Sequence, residues 1–299
     1  MGLDCVIGGS WDGGAFRSSK IKEINLDNVK TISICSFCKC TDLTNIGSGN
    51  MSRLLSIGDY AFYNCSLENT PDLYLPNCTT ISDSAFNSTK IKNIHSLGLD
   101  CVIGGSWDGG AFRSSTLETI NLENVSKITG YLGGISTLTS IGNSFNRLIT
   151  INNDSFNSCL NLVIEDLSVP NLETLGDSAF SSTKIKKVSN LGKITSIGNR
   201  CFYNCKELTE FTDPVNPCKY NRATEGCTNL TKIHIQDNSK WFRNTFGENN
   251  YSNPLENKVA NFYINNELVD TMRVPDDLTV INGSVLNSWQ GTTVDFGNA

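Results

Sequence analysis

Three cysteines in one short segment have the spacing in this 299-residue chain that best suits a metal ion. Cys35 and Cys38 are separated by two residues, and Cys40 follows two positions later. Two thiolates at the first spacing can hold one side of a tetrahedral zinc ion. A complete site needs a second pair of cysteine or histidine ligands, and no such pair follows at the spacing of a zinc finger. We therefore expect neither a metal site nor a cofactor.

Two glycine-rich segments have the composition of anion-binding loops. Residues 8–14 read Gly-Gly-Ser-Trp-Asp-Gly-Gly, and residues 104–110 repeat them letter for letter. Backbone amides of such a loop can bind a phosphate, but neither copy has the ending of a P-loop or the spacing of a dinucleotide site. Two other interpretations remain, a structural bulge whose glycines need positive φ and an exposed recognition loop. In the recognition loops, the candidate ligand-binding residues are Trp11, Asp12, Trp107 and Asp108.

Histidines and paired carboxylates show no catalytic arrangement. His95 and His234 are the two histidines of the chain, and each follows the isoleucine of a predicted strand. This position directs both side chains outward, 139 residues apart (234 minus 95), so a triad is geometrically implausible. Asp276 and Asp277 follow a proline in a predicted turn, where carboxylates are solvated. We therefore predict that the protein is not an enzyme.

Most of these residues lie within an internal repeat. Residues 2–19 recur exactly at residues 98–115, an offset of 96 (98 minus 2). An exact copy inside one chain indicates a modular architecture. A shorter unit, with spacings of 20–26 residues, is anchored on a large apolar residue. The anchors are Phe16, Phe37, Phe62, Phe86, Phe112, Leu132, Phe156, Phe180 and Phe202.

Each unit has the same pattern of residues around its anchor. An aliphatic residue, such as Ile57, usually stands five positions before the anchor, and a small residue, such as Cys65, stands three positions after it. A strand-like Leu-x-x-Ile segment follows, for example Leu117–Ile120. A unit with one short strand and one tight turn cannot bury its apolar face alone, so neighbouring units must share a core. The pattern therefore predicts a solenoid.

The string Ile-Gly-x-x-Ala-Phe-x-x-Cys resembles the repeat of the BspA-like leucine-rich repeat family. It occurs at residues 57–65 and, with cysteine in place of alanine, at residues 197–205. Residues 261–269 and 274–281 also resemble this family. The resemblance implies a leucine-rich repeat solenoid, a β-rich α/β and right-handed fold with a curved parallel sheet and short turns or 3-10 segments in the return arms. It also implies binding to host or matrix proteins, or to other cells.

We predict one elongated domain in three parts. Residues 1–235 contain the repeats, residues 236–260 are an irregular aromatic-rich insertion, and residues 261–299 form a β-hairpin and a final repeat continuous with the solenoid. The hairpin is predicted because strand-like segments flank Asn265-Asn266-Glu267. Since residues 2–19 duplicate an internal segment, we expect the chain to be a fragment of a longer array, open to end-to-end self-association.

The repeat explains most of the 12 cysteines without disulfides. Threonine or serine replaces cysteine at the small-residue position in other units, so no sulfur partner is needed there. A buried, reduced cysteine behaves as a small hydrophobic residue. We therefore expect mostly reduced thiols. The cysteines at this position are Cys40, Cys65, Cys159, Cys205 and Cys227.

Composition narrows the class of partner. The net charge of −6 comes without a basic stripe, which argues against nucleic acid, and no apolar run approaches the roughly 18 residues of a membrane span. The outward strand positions are polar and mixed in sign, as on a concave solenoid sheet that binds a large ligand. A merely solvated face is the alternative. The candidate ligand-binding residues there are Lys92, His95, Glu118, Asn121, Lys186, Lys187, Lys232 and His234.

These observations predict a non-enzymatic binding or adhesion module. It would present the concave sheet to a protein or cell-surface ligand, at a cell surface or in the extracellular space. The alternative is a structural or attachment component of a larger assembly, such as a phage or appendage spacer domain, which would place the chain in a virion. The identity of the ligand does not follow from the sequence.

Overall fold

The chain divides into two units, unit 1 (Met1–Leu162) and unit 2 (Val163–Ala299). The computed structural model describes residues 5–105, 109–247, 254, 260–281, 285–286 and 289–297. Each unit is a parallel β-solenoid of very short strands and tight turns, so the predicted leucine-rich repeat solenoid is confirmed. The predicted domain boundaries after residues 235 and 260 stay a prediction.

Strands of two to four residues make up unit 1. They are β1 (Cys5–Ile7), β2 (Val29–Ile32), β3 (Ser56–Ile57), β4 (Asp72–Tyr74), β5 (Thr80–Ile81), β6 (Asn93–Ser96), β7 (Cys101–Ile103), β8 (Thr119–Ile120), β9 (Val125–Ile128) and β10 (Thr150–Ile151). One parallel sheet has the order β1-β2-β3-β5-β7-β9-β10, and a second has the order β4-β6-β8. The repeat of Phe86, for example, has β5 before its anchor and β6 after it. The prediction of a single strand per repeat is therefore wrong, because two-residue strands are too short for an alternating pattern to reveal them.

Unit 2 contains further short strands and a helix. They are β11 (Val163–Ile164), β12 (Leu167–Ser168), β13 (Thr174–Leu175), β14 (Lys184–Ile185), β15 (Lys187–Asn190), β16 (Glu210–Thr212), β17 (Lys219–Tyr220), β18 (Lys232–His234), α1 (Asn238–Arg243), β19 (Thr245–Phe246), β20 (Asn261–Ile264), β21 (Glu267–Leu268), β22 (Thr271–Arg273) and β23 (Thr293–Asp295). The largest sheet has the order β12-β15-β16-β18-β20-β21. Its pairs are parallel except β20 with β21, which form the predicted hairpin.

Stacked anchor residues form the core of each unit. In unit 1 successive phenylalanine rings stack at centroid separations of 5.1–5.5 Å, with interplanar angles of at most 10°. The backbone sets this spacing, because the N–H of Phe62 donates to the carbonyl oxygen of Ala85 in the next repeat at 2.8 Å, and other anchors do the same. In unit 2, Phe180 and Phe202 stack at 5.8 Å. The stacked anchors of unit 1 are Phe16, Phe37, Phe62, Phe86 and Phe112.

The described part of the predicted irregular insertion contains α1, three of whose residues are buried. The Asp237 carboxylate caps the helix by accepting a 2.7 Å hydrogen bond from the N–H of Lys240. Trp241 is fully buried and packs against Tyr220 and Phe262, so it adds a large aromatic side chain to the core between β18 and β19. Strand β19 pairs in parallel with β17, as in other repeats. Within the described ranges, no helix has the length and apolar character to cross a lipid bilayer.

Candidate functional site

The exposed face of the largest sheet of unit 2 presents two rows of side chains to solvent. The second residues of β15, β16, β18 and β20 are in register and buried; they are Val188, Phe211, Ile233 and Phe262. Their neighbours along each strand therefore point away from the core, because alternate side chains of a strand point to opposite faces. We call Lys187, Glu210 and Lys232 the charged row. We call Thr212, His234 and Tyr263 the Tyr263 row.

Salt bridges neutralise the charged row. The Nζ atoms of Lys232 and Lys187 lie 2.8 Å and 3.7 Å from the Glu210 carboxylate, and Lys187 also lies 4.0 Å from Asp166. The hydrogen bond from Lys232 lowers the pKa of Glu210, although desolvation acts in the opposite direction. Nε2 of His234 lies 3.5 Å from the same carboxylate. Carboxylates thus offset the cations on this face.

Two further lysines among the predicted residues are also paired with carboxylates. Lys186 lies 2.7 Å from Glu165 in unit 2, and this hydrogen bond raises the pKa of Lys186. Lys92 lies 2.9 Å from Glu118 in unit 1. All four side chains are well exposed. Exposed ion pairs contribute little to stability, so these groups can exchange partners for the charges of a ligand at small cost.

A groove of about 230 Å³ lies on the exposed face of unit 2. Three adjoining strands, β16, β18 and β20, line it with the Tyr263 row, and β15 adds Lys187 and Ser189. The hairpin turn adds Asn266. The sequence predicted Lys187 and His234 but missed the other residues. The repeat register contains a signal for some of them, because Thr212 and Tyr263 occupy the strand position of His234.

A chain of polar side chains crosses the smaller sheet of unit 1. Oγ1 of Thr119 donates to Oδ1 of Asn93 at 2.8 Å, and Nδ2 of Asn93 donates to Oδ1 of Asp72 at 2.7 Å. Nε2 of His95 lies 3.1 Å from the same oxygen, and the imidazole stacks on Tyr74 at 4.4 Å. These contacts lower the pKa of Asp72, with the Asn93 hydrogen bond as the largest cause. His95 is therefore exposed and held in place, and its role in binding stays a prediction.

Asn121 has a local structural contact. Its Oδ1 accepts a 2.9 Å hydrogen bond from the N–H of Glu123, which closes a turn after β8. Asn25, Asn45 and Asn190 accept the same bond from residues two positions further on. Asparagine is favoured in such turns for this reason. The Asn121 carbonyl therefore has a structural role that requires no ligand.

The first glycine-rich loop presents an exposed tryptophan. Trp11 is 58% exposed. Its ring contacts the ring of Tyr60 in an edge-on arrangement, with the centroids 5.5 Å apart. Asp12 is also exposed. The Arg17 guanidinium donates to the carbonyl oxygen of Trp11 and so ties the loop to the turn below it. The matching residues of the second loop, Trp107 and Asp108, lie outside the described residues.

Close packing between repeats requires glycine at positions in both loops. A Cβ atom on Gly14 would lie 1.8 Å from the carbonyl oxygen of Cys35, and one on Gly110 would lie 1.5 Å from that of Tyr131. Neither glycine has positive φ, so the predicted reason for glycine is wrong at these two positions. Gly105 does have a positive φ of 141°. The loops therefore have a structural function in addition to any role in recognition.

The small-residue position after each anchor is a buried slot for a hydrogen-bond donor. Sγ of Cys65 donates to the carbonyl oxygen of Phe37 in the preceding repeat at 3.0 Å. Oγ1 of Thr89 occupies the same slot and donates to the carbonyl of its own anchor, Phe86, at 2.8 Å. Burial raises the pKa of the Cys159 thiol to about 12, so this cysteine stays protonated near neutral pH. At Cys40, by contrast, the hydrogen bond with the Cys65 side chain lowers the pKa to about 6. All 12 cysteines are thiols in the structure.

The Cys-x-x-Cys segment forms the turn around an anchor. Cys35 and Cys38 are buried on either side of Phe37, and burial is the largest cause of a raised pKa at Cys38. Cys40 occupies the slot of this repeat and donates to the carbonyl oxygen of Phe16. Across the described part of the chain, no three His, Cys, Asp or Glu side chains lie close enough together to hold a metal ion. The repeat thus accounts for all three cysteines.

Exchange of the slot residue provides a test of this account. We expect Cys65→Thr to change the free energy of unfolding by less than about 1.5 kcal/mol, because a hydroxyl can make the slot hydrogen bond. Cys65→Leu should cost about 1–3 kcal/mol by overpacking. Urea denaturation measures both. Thiol titration in denaturant without reductant should detect most of the 12 cysteines, and four or more disulfides would contradict the account.

Unit 2 contains a buried ion pair that the repeat pattern of the sequence does not predict. Asp213 and Lys240 are 1% and 8% exposed, and Nζ of Lys240 donates to Oδ2 of Asp213 at 2.8 Å. The other carboxylate oxygen accepts hydrogen bonds from the Tyr220 hydroxyl and the Asn244 amide. Burial raises the pKa of Asp213, and the charge of Lys240 opposes that rise. This network connects α1 to the preceding repeat.

Comparison with known proteins identifies the repeat. A family model described as the BspA type leucine-rich repeat region, in 6 copies, matches residues 11–132 and 135–256. These residues make up more than half of the chain, and the second stretch extends through most of the predicted insertion. A solved structure of a leucine-rich repeat protein from Bacteroides ovatus ATCC 8483 matches 70% of this chain at 20% identity and a TM-score of 0.38, and the match covers 59% of that protein. A comparison with curated proteins finds no match.

Proposed function

Because the chain belongs to the BspA-type leucine-rich repeat family, we propose that it is a non-enzymatic binding or adhesion module. The family indicates a protein-interaction or adhesion-type module. The ligand is a protein or a cell-surface component, with host and matrix proteins as candidates. The module acts at a cell surface or in the extracellular space.

The exposed face of unit 2 is the observation that most directly supports this proposal. Parallel pairing from β15 to β20 holds its strands in register, so the side chains are arrayed on a fixed frame. The charged row presents both signs of charge, which select a partner by complementarity rather than by net attraction. Tyr263 adds an aromatic side chain of the kind enriched at interfaces. An extended sheet face of this type suits a large partner.

Reversing charges in the charged row tests the proposal. The full chain is assayed against immobilised matrix and cell-surface proteins, and Lys187→Glu with Lys232→Glu should weaken binding about tenfold, mainly through slower association. The control is Lys20→Glu with Lys90→Glu, which makes the same change of net charge at exposed lysines of unit 1. The control variant should bind like the unmodified chain. Equal binding by both variants would show that the unit 2 face is not the interface.

A further inference from the structure

The groove on the exposed face of unit 2 is lined mainly by hydroxyl, amide and aromatic side chains. We propose that it binds a single neutral sugar residue at the end of a glycan on the partner. This inference rests on the proposed binding function and adds the class of ligand. Four properties of the groove support it: its volume, its charge, its unused hydrogen-bonding groups and its aromatic rings.

The volume of the groove limits its occupant to one small ring. Pockets that enclose drug-sized ligands measure roughly 300–1,000 Å³. The groove measures about 230 Å³, so it can hold a terminal monosaccharide while the rest of a glycan stays outside. An extended polymer or a folded protein segment would have to bind to other parts of the face.

The charge of the groove favours a neutral ligand. Lys187 is the ammonium group in its lining, and this group lies near the carboxylates of both Glu210 and Asp166. Glu210 in turn accepts the hydrogen bond from Lys232. A phosphate, sulfate or sialic acid is best bound by a charge-assisted hydrogen bond from a cation. The carboxylates around Lys187 oppose such an anion.

Neutral polar side chains provide the unused hydrogen-bonding capacity. The hydroxyls of Ser189 and Thr212 and the amides of Gln236, Asn265 and Asn266 line the groove. None of these side chains forms a hydrogen bond with a described residue of the chain. Hydroxyl and amide side chains both donate and accept hydrogen bonds. Sugar hydroxyls need both kinds of partner at short spacing, and this lining can supply them.

Aromatic rings give the groove a surface for the apolar face of a sugar. The rings of His234 and Tyr263 contact each other, with centroids 5.5 Å apart and an angle of 33° between their planes. The C–H groups on one face of a pyranose pack well against such rings. Tyrosine combines an apolar ring with a polar hydroxyl, so Tyr263 can contact both parts of a sugar.

The hairpin turn does not need the side-chain amides of its two asparagines in order to form. Asn265 and Asn266 have φ values of 50° and 66° between the paired residues Ile264 and Glu267. A two-residue turn with positive φ at both positions favours glycine at the second. The chain instead has an asparagine at Asn266, whose side chain lines the groove. This choice adds hydrogen-bonding capacity at some cost in turn propensity.

A glycan array tests the proposal with the full chain. The probes are immobilised glycans that end in galactose, N-acetylglucosamine, mannose or fucose, together with sialylated and sulfated forms. We expect binding to one or a few neutral termini. The double variant Thr212→Val with Asn266→Gly should lose at least tenfold in affinity. Valine keeps the shape of threonine, and glycine suits the turn, so this variant should keep its unfolding midpoint.

A matched control and the possible outcomes distinguish this proposal from the proposed function. Asn204→Gly makes the same change at another positive-φ position of unit 2, with φ of 55°, outside the groove lining, and it should leave glycan binding unchanged. Preference for acidic glycans, or neutral binding that survives in the double variant, would overturn the proposal. Binding of a peptide library that the double variant loses would assign the groove to peptides. The chain could instead bind enzymatically deglycosylated matrix and cell-surface proteins as strongly as the untreated proteins, and bind no glycan. That result would overturn the sugar proposal and still support the adhesion function.

Discussion

Phe112→Ala is expected to lower the free energy of unfolding by about 3–5 kcal/mol, the usual result of truncating a buried aromatic residue. Phe112 is 0% exposed and stacks on Phe86 at 5.5 Å with nearly parallel rings. Removing the ring would leave a cavity in the shared core of adjacent repeats. Urea denaturation followed by circular dichroism measures the loss.

The chain contains its own control for this experiment. Residues 2–19 and 98–115 have the same sequence, so Phe16→Ala changes the same residue in the same local context. Phe16 is only partly buried, and its ring stacks on Phe37. We therefore expect a smaller loss at Phe16 than at Phe112. Equal losses would show that local sequence, rather than burial between repeats, determines the contribution of the anchor.

Asp213→Asn is the second substitution with a large expected effect, a loss of about 3–5 kcal/mol in the free energy of unfolding. The substitution leaves the Lys240 side chain, which is 9% exposed, without its counterion. A buried charge without a partner is strongly destabilising, whereas an apolar replacement of the whole pair is often tolerated. The double variant Asp213→Asn with Lys240→Met should therefore be more stable than Asp213→Asn alone. Urea denaturation of the three proteins checks this order.

An exposed ion pair of the same length provides the control. Lys232 and Lys240 both lie 2.8 Å from a carboxylate oxygen, but the side chain of Lys232 is 46% exposed and that of Lys240 is 9% exposed. Lys232→Met should leave the unfolding midpoint almost unchanged, because water solvates the remaining Glu210 carboxylate. A similar loss in Lys232→Met and Asp213→Asn would show that burial does not govern these pairs.

The sequence predicts the solenoid well because its core is periodic. Phe62, Phe86 and their equivalents recur with small residues at a fixed offset, and this pattern alone is enough to place them in one stack. The slot residue follows from the exchange of Cys65 with Thr89. The sequence does not predict the second strand of each repeat, because a strand such as Ser56–Ile57 is recognised only by its pairing with other repeats.

The buried ion pair escapes prediction for a different reason. Asp213 and Lys240 are 27 residues apart, and Lys240 lies on a helix between β18 and β19. From the sequence alone, an isolated lysine next to Trp241 is expected at the surface, and its burial is seen only when the helix packs against the rest of unit 2. Its burial depends on tertiary packing that has no periodic signature.

The candidate site was predicted only in part. The outward position of His234 follows from the buried isoleucine before it, and that of Lys187 follows from the apolar Val188 after it. The groove itself depends on the hairpin, which places Asn265 and Asn266 beside residues from earlier repeats. Sequence alone located the hairpin but could not show which strands its turn adjoins.

The contact between each anchor and the next repeat has a consequence for the evolution of the gene. Most repeats offer the next repeat a phenylalanine side chain and a small-residue slot, so a block of repeats can be duplicated or deleted in the DNA with the same kind of contact at the new junction. The position after the anchor tolerates Cys38, Tyr63 and Asn87 in other repeats, yet it is arginine in both copies of residues 2–19. Identity at so tolerant a position indicates that the copies arose by recent duplication and have not had time to diverge. Related genes are therefore expected to differ in length by whole blocks of repeats.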